Sequence, residues 1–581
     1  MMRPPHADKI SAAESWLTTT FGSDIQQVQC EDWDHAWLLQ LDNSEGYPLN
    51  LRLEIPFGFP DEQIRVYWLN DDQIVRPHCW PNGELCLVDQ PHTFENVEND
   101  FNDLFCKAGE LLSKYASQSN TEDLIKEPRP YWSSFLAKGT GSRWKLNKIS
   151  VRLAAEPDTK HCSLIYGYRT LNQKWFLASK QDDAHKMAAQ APGGVDDLSY
   201  SIGVRIPISR AWYPDQFPKK WPQVYQLLAD SGRLEETVYL LEEERKRDPW
   251  IAVVFLYFDA PGVSYGLAIA SEHDNGLTRG QRFVKRPLKH RTMANFLLAP
   301  HKGLMWHCET EHLDSSTLFL RLDSEHMSAR HESKILLVGC GSLGGLLADE
   351  LAHSGVRNIT LVDNQVFDSE NLCRHVLGME HLGQLKSNAL KNHLEHQMPL
   401  MQIQSYPAHV INFLSQQAPS PNDFDLILAM TGESAPIWML DSWRNQSTKA
   451  PPMIVGWAES FGIAGHAALL MDGKTMEDIE QEGQRQHNIA QWQPGTIDHL
   501  RTIPGCSATF QPMGRIKLMH IASMTAEMAL NVIDGRQSFS QVLSRIEKAA
   551  NLGSFGATSA APDIHSSITP FPSAVVERNI D

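Results

Sequence analysis

Apolar residues recur along this chain with two different periods, and the changes between them divide it into three blocks. The first block, 1–145, opens with helical spacing over Ala7–Phe21. It passes to strand-like alternation over Ala36–Leu41, Leu49–Ile55 and Ile64–Trp68, then back to helical spacing over about Asn99–Tyr115. That order predicts an α+β domain. Glu127–Gly141, with EPRP and GTGS, reads as a boundary. The second block, 146–327, is mixed α+β: Cys162–Tyr168, Trp175–Ser179 and Trp250–Tyr257 have strand character, Trp221–Ala229 and Leu234–Arg247 helical character. It carries no motif assignable to chemistry and reads as a linker domain. The third block, 328–581, starts with a buried-strand run, Lys334–Val338, a glycine-rich turn, a helix and a second strand, Asn358–Val362. This is a βαβ unit, and with Asp425–Ala429 and Met453–Gly456 it predicts a Rossmann-like doubly wound sheet. The tail from Gly553 is rich in Gly, Ser, Ala and Pro and reads as loosely ordered. The fold class is therefore multidomain α/β.

Composition narrows the function classes. The 581 residues exceed what one hydrophobic core supports. A net charge of −18 opposes a nucleic acid or an anionic membrane as the main partner. The most apolar strip, Trp250–Phe258, is far shorter than the ~20 residues that cross a bilayer, and the polar N-terminus lacks a signal-peptide core, so a cytoplasmic protein is expected. The nine cysteines form no CxxC pair, which removes the zinc-ribbon and disulfide-framework readings.

Chemistry concentrates after the first strand of the third block. Gly339-Cys-Gly341-Ser-Leu-Gly344 lies between strand and helix, where glycines allow a tight turn and the helix start offers N–H groups to phosphate. Asp363 follows at the distance of a ribose-binding acid. So far an NAD-dependent dehydrogenase fits equally well. Then come Asp368, Asn371-Leu-Cys-Arg374-His375 and Gly383-Gln-Leu-Lys386. An amide, a guanidinium and an ammonium in this order suit a triphosphate, whose leaving pyrophosphate they can stabilise. The stretch ILLVGCGSLGG…LVDNQVFDSENLCRH…LGQLKSNAL, about residues 334–395, resembles the adenylation domain shared by ubiquitin-activating enzymes and bacterial sulfur-carrier activators. The resemblance implies that Gly339, Gly341 and Gly344 hold phosphates of ATP, that Asp363 holds the ribose, and that Asn371, Arg374 and Lys386 bind and polarise the triphosphate. The family's magnesium-binding Asp is replaced here: the turn reads Met430-Thr-Gly432-Glu433, leaving Glu433 as the candidate Mg2+ ligand. Arg330 is a candidate for the Arg that this family borrows from a partner subunit, against the plainer reading of a surface Arg.

Two cysteines are framed as nucleophiles. Pro504-Gly-Cys506-Ser-Ala-Thr-Phe-Gln-Pro512 resembles the signature around the thiol of eukaryotic ubiquitin- and SUMO-activating enzymes. A thiol suits that step because a thioester conserves acyl-transfer potential. In the first block, Tyr47–Pro56, Gly58-Phe-Pro60, Arg65-Val-Tyr-Trp and His78-Cys-Trp-Pro-Asn-Gly83-Glu-Leu-Cys86-Leu87 follow the order of ubiquitin-conjugating enzymes over about residues 10–115. Cys86 is the acyl acceptor that this resemblance implies, with Cys79 as its rival. His78 is read as positioning the loop, and Asn82 as a turn residue or an oxyanion donor.

The fusion resembles the combined ubiquitin-activating and ubiquitin-conjugating-like enzymes of bacterial anti-phage systems built around a cyclic-oligonucleotide synthase (CBASS). The resemblance implies adenylation of a protein C-terminus with ATP and Mg2+, a thioester on Cys506, transfer to Cys86 and ligation to a target lysine. It further implies that the C-terminus belongs to the synthase (CD-NTase), and a homodimer. Two rivals stand beside it: a sulfur-carrier adenylyltransferase with an unrelated N-terminal domain, and a non-enzymatic nucleotide-sensing binding protein.

Overall fold

The computed structural model describes residues 7–28, 35–42, 48–56, 59, 62–69, 76–80, 82–87, 96–117, 122–126, 128–138, 148–248, 253–271, 303–322, 325–471, 473–481, 484–492, 501–502, 509–568 and 573–580. The chain divides into two compact units, Met1–His312 and Leu313–Asp581. The division falls ahead of the 327/328 boundary read from the sequence, and Arg357 of the second unit donates to Ser315 in the intervening stretch.

In the first unit, α1 (Ala7–Phe21) precedes an antiparallel meander of β1 (Ile25–Val28), β2 (His35–Asp42), β3 (Pro48–Ile55) and β4 (Arg65–Trp68), followed by α2 (Val97–Ser117). Helical spacing puts Ile10, Ala13 and Leu17 on one face of α1. They join Phe101 and Leu104 of α2 against Leu39, Leu51 and Leu53 of the sheet.

The middle block closes into a barrel of seven strands among the described residues. They are β5 (Lys148–Ala154), β6 (Ser163–Thr170), β7 (Trp175–Ala178), β8 (Val195–Pro207), β9 (Val253–Ala260), β10 (Val263–Ser271) and β11 (Gly303–His312), in the order β10-β11-β5-β7-β6-β8-β9. Trp175, Phe255 and Tyr257 pack together with Val151, Leu177 and Trp306 in one core layer. Ile202, Val204, Leu256 and Phe258 pack with Val224 and Leu241 of the helices Trp221–Asp230 and Leu234–Arg247. The boundary read at Glu127–Gly141 is corrected in part: Pro128–Lys138 is a helix, α3. Its two prolines fall in the first turn, where no intrahelical N–H is lost. Trp132, Phe135 and Leu136 then recur at helical spacing and join the core around the barrel.

The second unit holds an eight-stranded sheet among the described residues. It comprises β12 (Lys334–Val338), β13 (Asn358–Val362), β14 (Gln402–Tyr406), β15 (Leu426–Ala429), β16 (Met453–Ala458), β17 (Ala464–Leu470), β18 (Gln541–Glu547) and β19 (Ser573–Asn579). Strands β14-β13-β12-β15-β16 are parallel, and β17, β18 and β19 add antiparallel. Central strands are apolar throughout because both faces are covered. Ile335, Leu337 and Leu361 meet Leu347, Leu351 and Leu390 on one side. Leu336, Val338 and Ile427 meet Phe413, Ile437 and Leu440 on the other. The loosely ordered tail is corrected as well: Ser573–Asn579 is the outer strand β19, paired along its length with β18. No helix among the described residues is long and apolar enough to cross a membrane.

Candidate active sites

The glycine-rich turn sits between β12 and α4 (Ser342–His353). Gly339 has φ +95°, a conformation that side chains rarely adopt, and its N–H donates to Val362 O at 2.9 Å. A Cβ on Gly344 would lie 1.9 Å from Gly339 O, so the third glycine lets the helix close on the strand. A Cβ on Gly341 would meet nothing within 4 Å. The turn is therefore packed underneath and open above, at a helix start whose first N–H groups have no intrahelical acceptor.

Asp363 ends β13 and holds this turn in place. Its carboxylate accepts the Cys340 N–H at 2.7 Å and the Gln365 N–H at 2.7 Å. Cys340 is fully buried, and burial together with Asp363 pushes its thiol well above the ordinary range. Lys386 is 6% exposed and donates to Gln365 Oε1 at 2.8 Å. Burial lowers its pKa, while Asp363 and Asp368 pull it up and Arg374 pushes it down. Arg374 thus lies in the field of the same group, and its Nε is buried without a hydrogen-bond partner among the described residues. A desolvated ammonium and an under-satisfied guanidinium are groups that an incoming polyphosphate would stabilise. Asn371 is buried and donates its side-chain amide to Asp368, so here it braces the loop. His375 Nε2 donates to Cys340 O at 2.8 Å and its Nδ1 accepts the Leu377 N–H at 3.1 Å, joining the Arg374 loop to the glycine turn. Arg515 holds that loop from the other side, donating to His375 O at 2.5 Å. Sequence reasoning passed over Gln365 and Arg515. Gln365 stood within the quoted motif, whereas Arg515 is separated from its acceptor by 140 positions and carried no local signal.

Glu433 is exposed at the residue before the helix Ser434–Arg444, its N–H donated to Thr431 Oγ1 at 3.3 Å. Among the described residues, no three His, Cys, Asp or Glu side chains gather as a metal ion would require. Arg330 departs from both readings made of it. It is buried, and its guanidinium donates to both Asp534 oxygens, at 2.9 and 2.7 Å, and to Ser354 O at 3.1 Å.

In the first unit the Cys86 segment is stitched on both flanks. Trp68 N donates to Gly83 O and Leu85 N to Val66 O, each at 2.8 Å, extending β4. On the other flank Trp80 N donates to Glu84 O at 2.7 Å and Cys86 N to His78 O at 2.8 Å. Gly83 has φ +88°, and a Cβ there would fall 2.5 Å from Trp68 O, which accounts for the glycine of the motif. Cys86 is exposed, at a cleft of about 580 Å³ lined by Glu62, Ile64, Trp80, Leu87 and Leu104. Its rival Cys79 is half-buried, with its thiol directed to Trp80 O at 3.6 Å. Asn82 acts as a turn residue: its Oδ1 accepts the Glu84 N–H at 3.1 Å and its Nδ2 meets Glu84 Oε2 at 3.4 Å. Cys506 lies outside the described residues.

Residues 314–556 match the ThiF family. The chain carries a ThiF domain. Over 533 residues it is 27% identical to the ATP-dependent ubiquitin transferase-like protein Cap2 of Pseudomonas aeruginosa, covering 86% of this chain and 88% of that one. The Cap2 of Enterobacter hormaechei is 28% identical over 186 residues, 30% of this chain and 31% of that one. The chain is thus a homologue of the Cap2 proteins that carries a ThiF domain. A crystal structure of E. coli MccB with MccA-N7isoASN matches 44% of this chain and 66% of its own, at 14% identity and a TM-score of 0.30. The ThiF match encloses the glycine turn, Asp363, Arg374, Lys386 and Glu433, and also Cys506.

Proposed function

We propose that this chain activates a protein C-terminus with ATP and passes it through two thiols to an amine. The reading is carried by one combination. A cradle suited to triphosphate, with buried Lys386 and an unsatisfied Arg374 beside an open glycine turn, occurs in a Cap2 homologue that also presents Cys86 at a cleft. Gly339, Gly341 and Gly344 with the start of α4 take the phosphates, and Asp363, at the end of β13, takes the ribose. The incoming carboxylate oxygen attacks the α-phosphorus, and pyrophosphate leaves with its charge balanced by Arg374 and Lys386. The Cys506 thiolate attacks the acyl carbon and AMP leaves. Cys86 Sγ then displaces Cys506, and an amine displaces Cys86, losing a proton to give an amide. Glu433 is the carboxylate available to a magnesium ion, and no step is assigned to the metal.

We propose, from the resemblance of the fused modules alone, that the C-terminus is that of a cyclic-oligonucleotide synthase (CD-NTase), that the acceptors are target lysines, and that the working form is a homodimer in the cytoplasm. The test co-expresses a Cys86→Lys variant with that synthase, so that a labile thioester becomes a stable amide. A covalent adduct at position 86, seen by denaturing gel and intact mass and lost with Cys506→Ala or Arg374→Ala, is the expected result. Pyrophosphate exchange without an adduct would favour a sulfur-carrier activator. Absence of both in folded protein would leave a nucleotide-sensing binding protein.

A further inference from the structure

We propose that the Tyr131 hydroxyl is a positioning group for Cys86, acting through the backbone of His78, so that α3 belongs to the second thiol's site. This rests on the reading of Cys86 as acyl acceptor. His78 has φ +56°, a left-handed conformation uncommon outside glycine, with His among the side chains that enter it most readily. Two bonds hold it there. The His78 N–H donates to the Tyr131 hydroxyl at 3.1 Å, and the His78 carbonyl accepts the Cys86 N–H at 2.8 Å. Tyr131 therefore grips one end of the residue while Cys86 hangs from the other. β4 holds the neighbouring Leu85 from the opposite flank, and on this side the His78 carbonyl holds Cys86 while the Trp80–Glu84 bond holds the residues before it.

Tyr131 is itself firmly placed. It is 4% exposed on α3, next to Trp132, whose ring meets Phe217 and Tyr265 edge-on at 5.2 Å each. Phe135, one turn on, stacks against Trp132 at 5.4 Å and meets Phe217 at 5.3 Å. The barrel thus fixes α3, α3 fixes His78, and His78 fixes the thiol-bearing residue. A thioester exchange needs its attacking sulfur held close to the acyl carbon, and a misplacement of about 1 Å can cost about 10²-fold in rate.

Tyr131→Phe keeps the ring and removes the hydroxyl. In the full chain with the synthase, pyrophosphate exchange and loading of Cys506 are expected at wild-type rates, with single-turnover transfer to Cys86 slowed about 10-fold or more. Hydrogen exchange supplies a readout independent of the reaction: the Cys86 amide should exchange about 10-fold faster while the Leu85 amide is unchanged. The deciding variant is His78→Gly combined with Tyr131→Phe. Glycine populates positive and negative φ about equally and the N–H still lacks its acceptor, so the double variant should transfer no faster than Tyr131→Phe and should protect the Cys86 amide no better. Wild-type transfer and exchange in Tyr131→Phe would overturn the proposal, as would full recovery of both in the double variant. Exchange that responds as expected in a chain that never loads Cys86 would uphold the positioning contact and overturn the acyl-acceptor reading instead.

Discussion

His375 shows how one side chain ties the glycine turn to the Arg374 loop, and at what pH the tie fails. Burial lowers its pKa from near 6.5 to about 4, and the hydrogen bond to the Cys340 carbonyl only partly opposes this. The folded protein therefore keeps the imidazole neutral where the unfolded chain would protonate it. Its contribution to stability is complete above the unfolded value and is lost as pH falls from about 6.5 towards 4, on the order of 3 kcal/mol in all. His487, also lowered to about 4 by burial, adds in the same direction. Urea unfolding of the ThiF domain at pH 7.5, 6 and 4.5 should show a steep fall that is shallower in His375→Gln. Equal slopes would mean that His375 is already charged in the folded state. Much of this site was legible beforehand. Gly339, Gly344 and Asp363 answer to local backbone demands that a short motif records. Lys386 and Arg374 were legible as charges, but not as buried ones, because burial depends on the strands around them. Asn371 was legible as a polar member of the motif, but its bond to Asp368, three residues away, was not.

Between elements, the Arg330–Asp534 pair joins the helix Met327–Glu332 to the residue that ends α5 (Arg515–Ile533). The Asp534 side chain is completely buried, yet its pKa is lowered: burial alone would raise it, but Arg330 and Arg536 outweigh that. Removing Arg330 strands a buried carboxylate with the half-exposed Arg536. Arg330→Ala should therefore cost about 3 kcal/mol in a urea titration, while pyrophosphate exchange per folded molecule stays intact. Lost exchange at unchanged stability would return Arg330 to a catalytic role. At this scale the sequence spoke unevenly. β12, β13 and α1 were readable because each carries its own period. α3 was hidden by the EPRP run, since prolines that usually punctuate a chain are harmless in a first turn. β19 was hidden by a tail composition that resembles disorder but supplies Val575 and Val576 to a sheet edge.

For the whole chain, the barrel was the least visible feature. Three of its seven pairings are parallel, between strands separated by up to some 160 positions, and alternation within a strand says nothing about its neighbours. Its closure has a consequence for how the chain can be cut and rejoined. β10 and β11 pair directly, and their register ends at Ser271 opposite Gly303. The stretch 272–302 is therefore a detour between two positions already side by side, a gap that a two-residue hairpin turn spans. Opening the polypeptide there would break none of the ladder bonds among the described residues. A version with residues 272–302 replaced by Asn-Gly should keep the parental circular-dichroism spectrum and melting temperature, making this the seam at which reporters can be grafted or new termini placed. A collapsed spectrum would show that the detour supplies packing which the barrel cannot do without.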